Sequence, residues 1–161
     1  MGTWMQRIAV SWLVYRLTES AFVLGIISFL SLVPSLVLSP FIGSFVDRRN
    51  KYRILLITQS GLMLQAGALA LLVYLEIHNI FWIGVLSLLQ GIVNTFDVTA
   101  RQSLMVELVP DRADLPNAIA MNSSAFNAAR MVGPAVGGIL LSAYGEAVCF
   151  TVNFVSFIAV L

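Results

Sequence analysis

Apolar residues occur in six long runs along this chain, and short polar connections separate the runs. The runs cover approximately residues 1–17, 22–46, 54–75, 80–103, 117–144 and 147–161. A helix needs about 20 apolar residues to cross roughly 30 Å of hydrocarbon, and backbone groups inside a bilayer must be paired within the helix. The runs lack the strict two-residue alternation of a transmembrane β-strand. The pattern therefore predicts an all-α polytopic membrane protein with six helices.

The first and last runs are shorter than the four between them. At about 1.5 Å per residue, the run over 1–17 would extend only some 25 Å. Neither run has a polar cap at its chain end, and the last one stops within apolar sequence. We therefore expect a single helical bundle over 1–161 that is a fragment of a longer chain, with its first and last helices truncated.

Composition supports a membrane protein. Hydrophobic residues make up 59% of the chain and charged residues 11%, whereas soluble domains carry about 25% charged residues. The single Cys149 excludes an internal disulfide and is expected to be a small buried apolar residue. His78 is expected to be a solvated loop residue. We find no hydrolytic acid pair and no phosphate-binding glycine loop, so we expect no enzymatic activity, no cofactor and no metal.

Basic residues are concentrated in two of the connections. The second connection holds Arg48, Arg49, Lys51 and Arg53, and the fourth holds Arg112. Because cytoplasmic loops of membrane proteins are enriched in Lys and Arg, both connections are predicted to be cytoplasmic. The net charge of +1 gives no reason to expect nucleic acid as a partner.

The fourth run carries a polar face. Its polar residues recur at intervals of three and four, which places them on one side of a helix: Ser87, Gln90, Asn94, Asp97 and Arg101. A polar face in lipid is costly, so it should line a cavity or the interior of the bundle. The alternative is hydrogen bonding between helices without any substrate.

The fifth run contains a charge deep in the membrane. Arg130 is expected about 20 Å from the cytoplasmic start of its helix, and Arg7 is expected at a similar depth. An intramembrane Arg is a candidate functional residue, although a structural Arg bonded to helix carbonyls is an equal alternative. The predicted substrate cavity comprises Gln90, Asn94, Arg130, Arg7 and Asn127.

Asp97 and Arg101 are four residues apart with the acid first, which favours an ion pair along one helix. They are predicted to form a structural charge cluster at the cytoplasmic end. A proton-carrying role for Asp97 is the alternative.

Small residues recur every fourth position in the second and fifth runs, which also contain prolines. Such stripes permit close helix approach, and corresponding interrupted helices in two three-helix units are typical of transporters. The two stripes are Ser31, Ser35, Ser39 and Gly43, then Ala125, Ala129, Gly133 and Gly137.

Residues 43–51, GSFVDRRNK, resemble the cytoplasmic loop signature of the major facilitator superfamily. The resemblance implies that Gly43 lets the chain turn, that Asp47 pairs across the cytoplasmic face, and that the basic residues hold it closed. Asn50 replaces the usual Gly and tolerates a left-handed turn. The predicted cytoplasmic gate is Gly43, Asp47, Arg48, Arg49, Lys51, Asp97 and Arg101.

Residues 130–138, RMVGPAVGG, are similar to the fifth-helix motif of antiporters in this superfamily, with Ala129 in place of the leading Gly. The predicted helix-interface motif is Ala129, Gly133, Pro134, Gly137 and Gly138. The sequence over 96–130 is similar to the branch with the enterobactin exporter and macrolide efflux proteins. One departure concerns coupling: Ser87 stands three residues before Gln90, where the fourth-helix motif has an Arg associated with proton coupling.

This resemblance implies the N-terminal half of a twelve-helix exporter in a bacterial inner membrane. The implied mechanism is alternating access, with a drug, macrolide or siderophore-like molecule as substrate. Implied partners are the lipid bilayer, the absent C-terminal half of the chain and, as a candidate coupling ion, protons. The rival hypothesis is a membrane scaffold or partner subunit that transports nothing, because charge clusters and small-residue contacts also hold static bundles together.

Overall fold

A computed structural model describes residues 2–77 and 79–161. Within these residues the protein is all helical, and the prediction of six helices is confirmed. The helices are α1 (Gly2–Thr18), α2 (Ala21–Asp47), α3 (Lys51–Tyr74), α4 (Ile80–Leu108), α5 (Leu115–Tyr144) and α6 (Glu146–Ile158). Met1 and the expected loop residue His78 lie outside the described residues.

Polar side chains fix the starts of two helices. The Asn50 side chain accepts a hydrogen bond from the Arg53 backbone N–H at 3.0 Å, and Asn79 accepts one from the Phe81 N–H at 2.9 Å. Such caps satisfy backbone donors that the first turn of a helix leaves without partners. Asn50 has a φ of −69°, so it acts as a cap and not, as expected, as a left-handed turn residue.

Among the described residues, three helices are long and apolar enough to cross a membrane: α2, α3 and α4. Helix α4 continues to Leu108, five residues beyond the predicted end at 103. Helices α1 and α6 have 17 and 13 residues. Helix α5 has 30 residues but a more polar sequence, with Pro116 in its first turn, where proline is compatible with a helix.

Helix α4 packs against both α2 and α3, whereas α1 packs against α5 and α6, and α6 also contacts α3. The α2–α4 contact is close: a Cβ atom added to Gly91 would lie 2.5 Å from the Ser31 carbonyl oxygen. Glycine is therefore required here for the two backbones to approach. The α2 surface in this contact includes the buried residues Ile27 and Pro34.

Of the small-residue stripe predicted on α2, Ser31 takes part in this contact and the other three positions do not. Ser35 and Ser39 are exposed, and a Cβ atom on Gly43 would meet nothing within 4 Å. On α5 the corresponding stripe does contact another helix, because Gly137 is buried and an added Cβ would lie 2.9 Å from Met5 Cγ of α1. The four-residue spacing of small residues thus identified a contact surface on α5. On α2, most of the stripe that it identified makes no helix contact within the described chain.

The apolar core lies between α1, α3, α4 and α6. Its largest fully buried side chains include Leu13, Leu69, Ile83 and Phe150. Cys149 is also fully buried, and its thiol lies 3.7 Å from the Gly137 carbonyl oxygen. In contrast, α5 buries only Gly133 and Gly137, so most of α5 remains exposed in this part of the chain.

Candidate functional site

A cavity of ≈ 160 Å³ lies between α1, α2 and α4. One guanidinium group, four hydroxyl groups and one amide contribute to its wall, together with apolar side chains. No acidic residue is among the described residues that line it. The lining comprises Arg7, Val10, Ser11, Leu24, Ile27, Ser28, Ser31, Leu32, Ser87 and Gln90.

Two polar side chains of the cavity wall make no side-chain hydrogen bond to other described residues. Gln90 is 8% exposed and Ser87 is 2% exposed, and both line the cavity. Among residues 2–77 and 79–161, neither the Gln90 amide nor the Ser87 hydroxyl makes a side-chain hydrogen bond. Because buried polar groups are nearly always hydrogen-bonded, these two groups are available to a molecule that enters the cavity.

Gln90 also borders a second cavity of ≈ 300 Å³ between α3 and α4. The wall of this cavity is almost entirely apolar, with Gln65 and Gln90 as its polar residues. Gln90 thus lies between a polar cavity beside α1 and an apolar cavity beside α3.

Arg7 and Arg130 meet on one aromatic ring. The guanidinium carbon of Arg7 lies 4.8 Å from the centroid of the Trp4 ring, and that of Arg130 lies 5.4 Å from it. Phe126 of α5 contacts the same Trp4 ring edge-on at 5.8 Å between ring centroids. In the part of the chain that the structure describes, neither Arg forms an ion pair with an Asp or Glu.

These groups lie at similar depth in the bundle. At about 1.5 Å per residue, Arg7 is roughly 16 Å from the end of α1, and Gln90 is roughly 15 Å from the start of α4. Arg130 is about 21 Å from the end of α5. Since consecutive helices alternate in direction, all three distances are measured from the same side of the bundle, and the three residues lie near its middle.

The structure brings some of the predicted cavity residues together and not others. Arg7 and Gln90 line the cavity, and Arg130 lies beside Arg7 through Trp4. Asn94 is one turn further along α4, is partly buried and does not line the cavity. Asn127 is exposed on α5, a helix that contributes nothing to this wall. A substrate contact for Asn94 or Asn127 stays a prediction.

Asp97 is the centre of a buried polar cluster between α3 and α4. One carboxylate oxygen accepts hydrogen bonds from the Thr58 hydroxyl at 2.9 Å and the Gln59 amide at 2.7 Å. The other oxygen accepts one from Arg101 at 3.2 Å. Asp97 is 6% exposed, whereas Arg101 reaches solvent. The geometry is that of a cluster connecting two helices, and Thr58 and Gln59 were not predicted as its members.

The connection between α2 and α3 contacts the far end of α4. Asp47 accepts a hydrogen bond from the Ser103 hydroxyl at 3.0 Å, and Lys51 forms an ion pair with Glu107. Arg48 and Arg49 are exposed, and the Arg49 guanidinium lies over the Phe45 ring. Gly43 lies inside α2 and not in the turn, so the chain does not turn at this glycine as the resemblance implied.

The predicted interface motif on α5 is buried in part. Gly133 and Gly137 are buried, Ala129 and Pro134 are partly buried, and Gly138 is exposed with nothing within 4 Å of an added Cβ. Its partners within the described chain are α1 and, through the Cys149 thiol beside the Gly137 carbonyl, α6.

A second buried network was not predicted. The Gln6 amide donates to Gln65 at 2.8 Å and accepts from the Asn153 amide, which connects α1 with α3 and α6. Asn153 lies between Val152 and Phe154, and this isolation of a polar residue in an apolar run is the sequence signal that could have identified it. Arg16 also forms an ion pair with the buried Glu146 at the opposite end of the bundle.

Comparison with known proteins gives one family and several relatives. The family model described as transmembrane secretion effector, an MFS-type family, matches residues 1–161. The staphyloferrin A transporter of Staphylococcus aureus is 32% identical over 100% of this chain and 41% of its own length. The multidrug efflux pump Tap of Mycolicibacterium fortuitum is 28% identical over 89% of this chain and 36% of its own.

A third relative, the uncharacterised MFS-type transporter YfiS of Bacillus subtilis, is 25% identical over 95% of this chain and 36% of its own length. The chain thus spans about two fifths of the length of the curated relatives it matches. No solved structure gives a significant match.

Proposed function

Because this chain belongs to the transmembrane secretion effector family of MFS transporters, we propose that the whole protein is a secondary active exporter of small molecules. The family and the apolar helices make it an integral membrane protein of a transporter family. The proposal adds the direction of transport, the substrate class and the mechanism of alternating access. Protons are the proposed coupling ion, and a bacterial inner membrane is the proposed location.

The observation that carries this proposal is the mid-depth cavity with two polar groups on its wall that make no hydrogen bond to other described residues. Gln90 and Ser87 face the cavity without hydrogen bonds to other described residues. A static bundle would be expected to pair such groups, as Asp97 and Gln6 are paired elsewhere in this chain. Substrate sites of secondary transporters lie near the bilayer midplane, at the depth of Gln90.

The substrate class is proposed from the relatives. One is named as a transporter of staphyloferrin A and another as a multidrug efflux pump. A drug, a macrolide or a siderophore-like molecule would fit these two names. The second of them supports export as the direction.

The exposed surfaces of α2 and α5 fit a mechanism that involves a second half. Both helices carry large exposed apolar side chains, among them Leu36 and Met131, each 76% exposed. We propose that the C-terminal half of the protein and the lipid bilayer cover these surfaces. The two halves would rock about the cavity, as in other transporters built from repeated helical units.

The first test replaces Gln90 with Leu in the whole protein. Leu keeps the side-chain volume but removes the polar contact with substrate, so the efflux rate per transporter of a drug that the wild type exports, acidic or neutral, should fall by about tenfold. The amount of protein in the membrane should remain within about twofold of wild type. Efflux from cells and immunoblots of membranes measure the two quantities.

Gln102→Leu is the matched control, because Gln102 lies on the same helix but is exposed. It should leave both efflux and membrane level unchanged. If Gln90→Leu lowers only the membrane level and leaves efflux per molecule unchanged, Gln90 is a packing group and the cavity does not bind substrate.

The second test concerns the proposed cytoplasmic gate. Asp47→Asn keeps an oxygen that accepts from Ser103 but removes the negative charge. That charge is free of ion pairs within the described residues and would attract basic residues across the cytoplasmic face. The variant should fold normally and transport several-fold more slowly.

Asp111→Asn is the control, since Asp111 is an exposed carboxylate in the next cytoplasmic connection and bonds only to the nearby Ala113 N–H in the described chain. Efflux rates normalised to membrane level compare the variants. Equal rates for Asp47→Asn and wild type would show that Asp47 has no part in a gate.

A further inference from the structure

We propose that the substrate carries a carboxylate group, and that Arg7, Arg130 and Gln90 bind this group beside Trp4. The inference rests on the proposed transport function and specifies the chemistry of its substrate. It follows from the unpaired positive charge of the two Arg residues, from the groups that line the cavity, and from the size of the cavity.

The first step is the unbalanced positive charge. Arg7 and Arg130 lie over the same Trp4 ring, so their guanidinium carbons are at most about 10 Å apart, the sum of their two distances from the ring. No described Asp or Glu pairs with either of them. Charges near the middle of a membrane are costly and are normally paired. Two adjacent cations without an acid therefore indicate an anionic group that binds between or beside them.

The cavity wall to which Arg7 belongs is rich in hydrogen-bond donors. Ser11, Ser28, Ser31 and Ser87 supply hydroxyl groups to it, and Gln90 supplies an amide. Ser31 already donates to the Ser28 carbonyl, whereas Ser87 and Gln90 are buried and free to donate. Hydroxyl, amide and guanidinium groups can all donate to one carboxylate, and Arg can do so with two parallel hydrogen bonds.

The charge of the cavity wall disfavours a positively charged substrate. A lipophilic cation in this cavity would meet Arg7 and find no acidic residue in the wall. Like charges placed together in a binding site cost several kcal/mol and serve to reject unwanted partners. The arrangement thus favours an acidic substrate over the cationic dyes that many efflux pumps accept.

The fourth step concerns size. A volume of ≈ 160 Å³ is below the roughly 300–1,000 Å³ of sites that enclose a whole drug-sized ligand. This cavity therefore holds the acidic group of the substrate. The remainder of the molecule would extend out of the cavity.

The experiment measures thermal unfolding of the purified whole protein in detergent. Citrate at 10 mM should raise the Tm by about 3 °C, because a ligand that binds only the folded state stabilises it. Trimethyl citrate, which has the same skeleton without charge, should give no shift. Inorganic phosphate at matched ionic strength should give less than half the citrate shift. An equal phosphate shift would overturn carboxylate recognition in favour of a general anion site.

Variants separate a binding role from a structural one. Arg7→Gln and Arg130→Gln should each abolish the citrate shift, Arg7→Lys should retain part of it, and the exposed control Arg112→Gln should retain all of it. Without citrate, Arg130→Gln should unfold at or above the wild-type Tm, since one of two repelling charges is gone. If wild type shows no citrate shift and Arg130→Gln unfolds well below it, the two Arg residues are structural and the inference is wrong.

The citrate shift tests the carboxylate site, and efflux tests the transport function, so the two proposals can fail independently. If citrate causes no shift but Gln90-dependent drug efflux persists, the carboxylate site is refuted and the exporter stands. If citrate binds as expected but the whole protein in liposomes moves neither citrate nor an acidic drug, the anion site stands and the exporter is refuted.

Discussion

Replacing Gly91 with Ala is expected to disrupt the contact between α2 and α4 and to remove most of the whole protein from the membrane. The added methyl group would lie 2.5 Å from the carbonyl oxygen of Ser31 and 3.0 Å from its carbonyl carbon. Both atoms belong to the backbone of α2, so no side-chain rotation can relieve the clash. Overpacking of this kind costs about 1–3 kcal/mol, and a backbone contact should place the cost at the upper end.

The measurement is the Tm of the whole protein in detergent together with its level in membranes. We expect Gly91→Ala to lower the Tm by at least about 5 °C. Gly25→Ala on α2 is the matched control, because a Cβ at Gly25 would meet nothing within 4 Å. A Gly91→Ala protein as stable as the Gly25→Ala protein would show that α2 and α4 do not pack as closely as described.

The close approach at Gly91 illustrates what the sequence could and could not predict. Six helices followed from the apolar runs, because a bilayer leaves few other structures for segments of that length. The partner of each helix did not follow, because a small residue permits close approach without specifying which helix approaches. The four-residue stripe on α2 was a sound pattern, yet α4 contacts α2 on the side of Ile27 and Pro34.

The candidate site, too, could be predicted from the sequence only in part. Burial of Ser87, Gln90 and Asp97 could be predicted from the cost of a polar face in lipid. The sequence could not show that Gln90 remains without a partner while Asp97 has three, because that depends on Thr58 and Gln59 of another helix. Likewise, the meeting of Arg7 and Arg130 on Trp4 joins residues that are more than 120 positions apart.

Replacing Asp97 with Ala is the second change that we expect to lower the stability of the protein strongly. Asp97→Ala leaves the buried Gln59 amide without its acceptor, whereas the buried Thr58 hydroxyl keeps the Leu55 carbonyl as an acceptor at 3.0 Å. Each buried donor left without a partner costs about 1–3 kcal/mol. We therefore expect Asp97→Ala to lower the Tm of the whole protein by about 5–10 °C and to reduce its membrane level.

Asp97→Asn distinguishes the two roles that the sequence left open for this residue. Asn keeps one oxygen to accept from Thr58 and Gln59, and it loses only the pair with Arg101, whose side chain is 52% exposed and can turn to solvent. Exposed ion pairs contribute about 0–1 kcal/mol, so the Tm should change by no more than a few degrees. If Asp97 is structural, efflux per molecule should remain above half of the wild-type rate. A proton carrier must release and rebind a proton, which Asn cannot do, so normal membrane level with abolished efflux would assign the proton to Asp97. The three hydrogen bonds around its carboxylate favour the structural result, because two of them join α4 to α3.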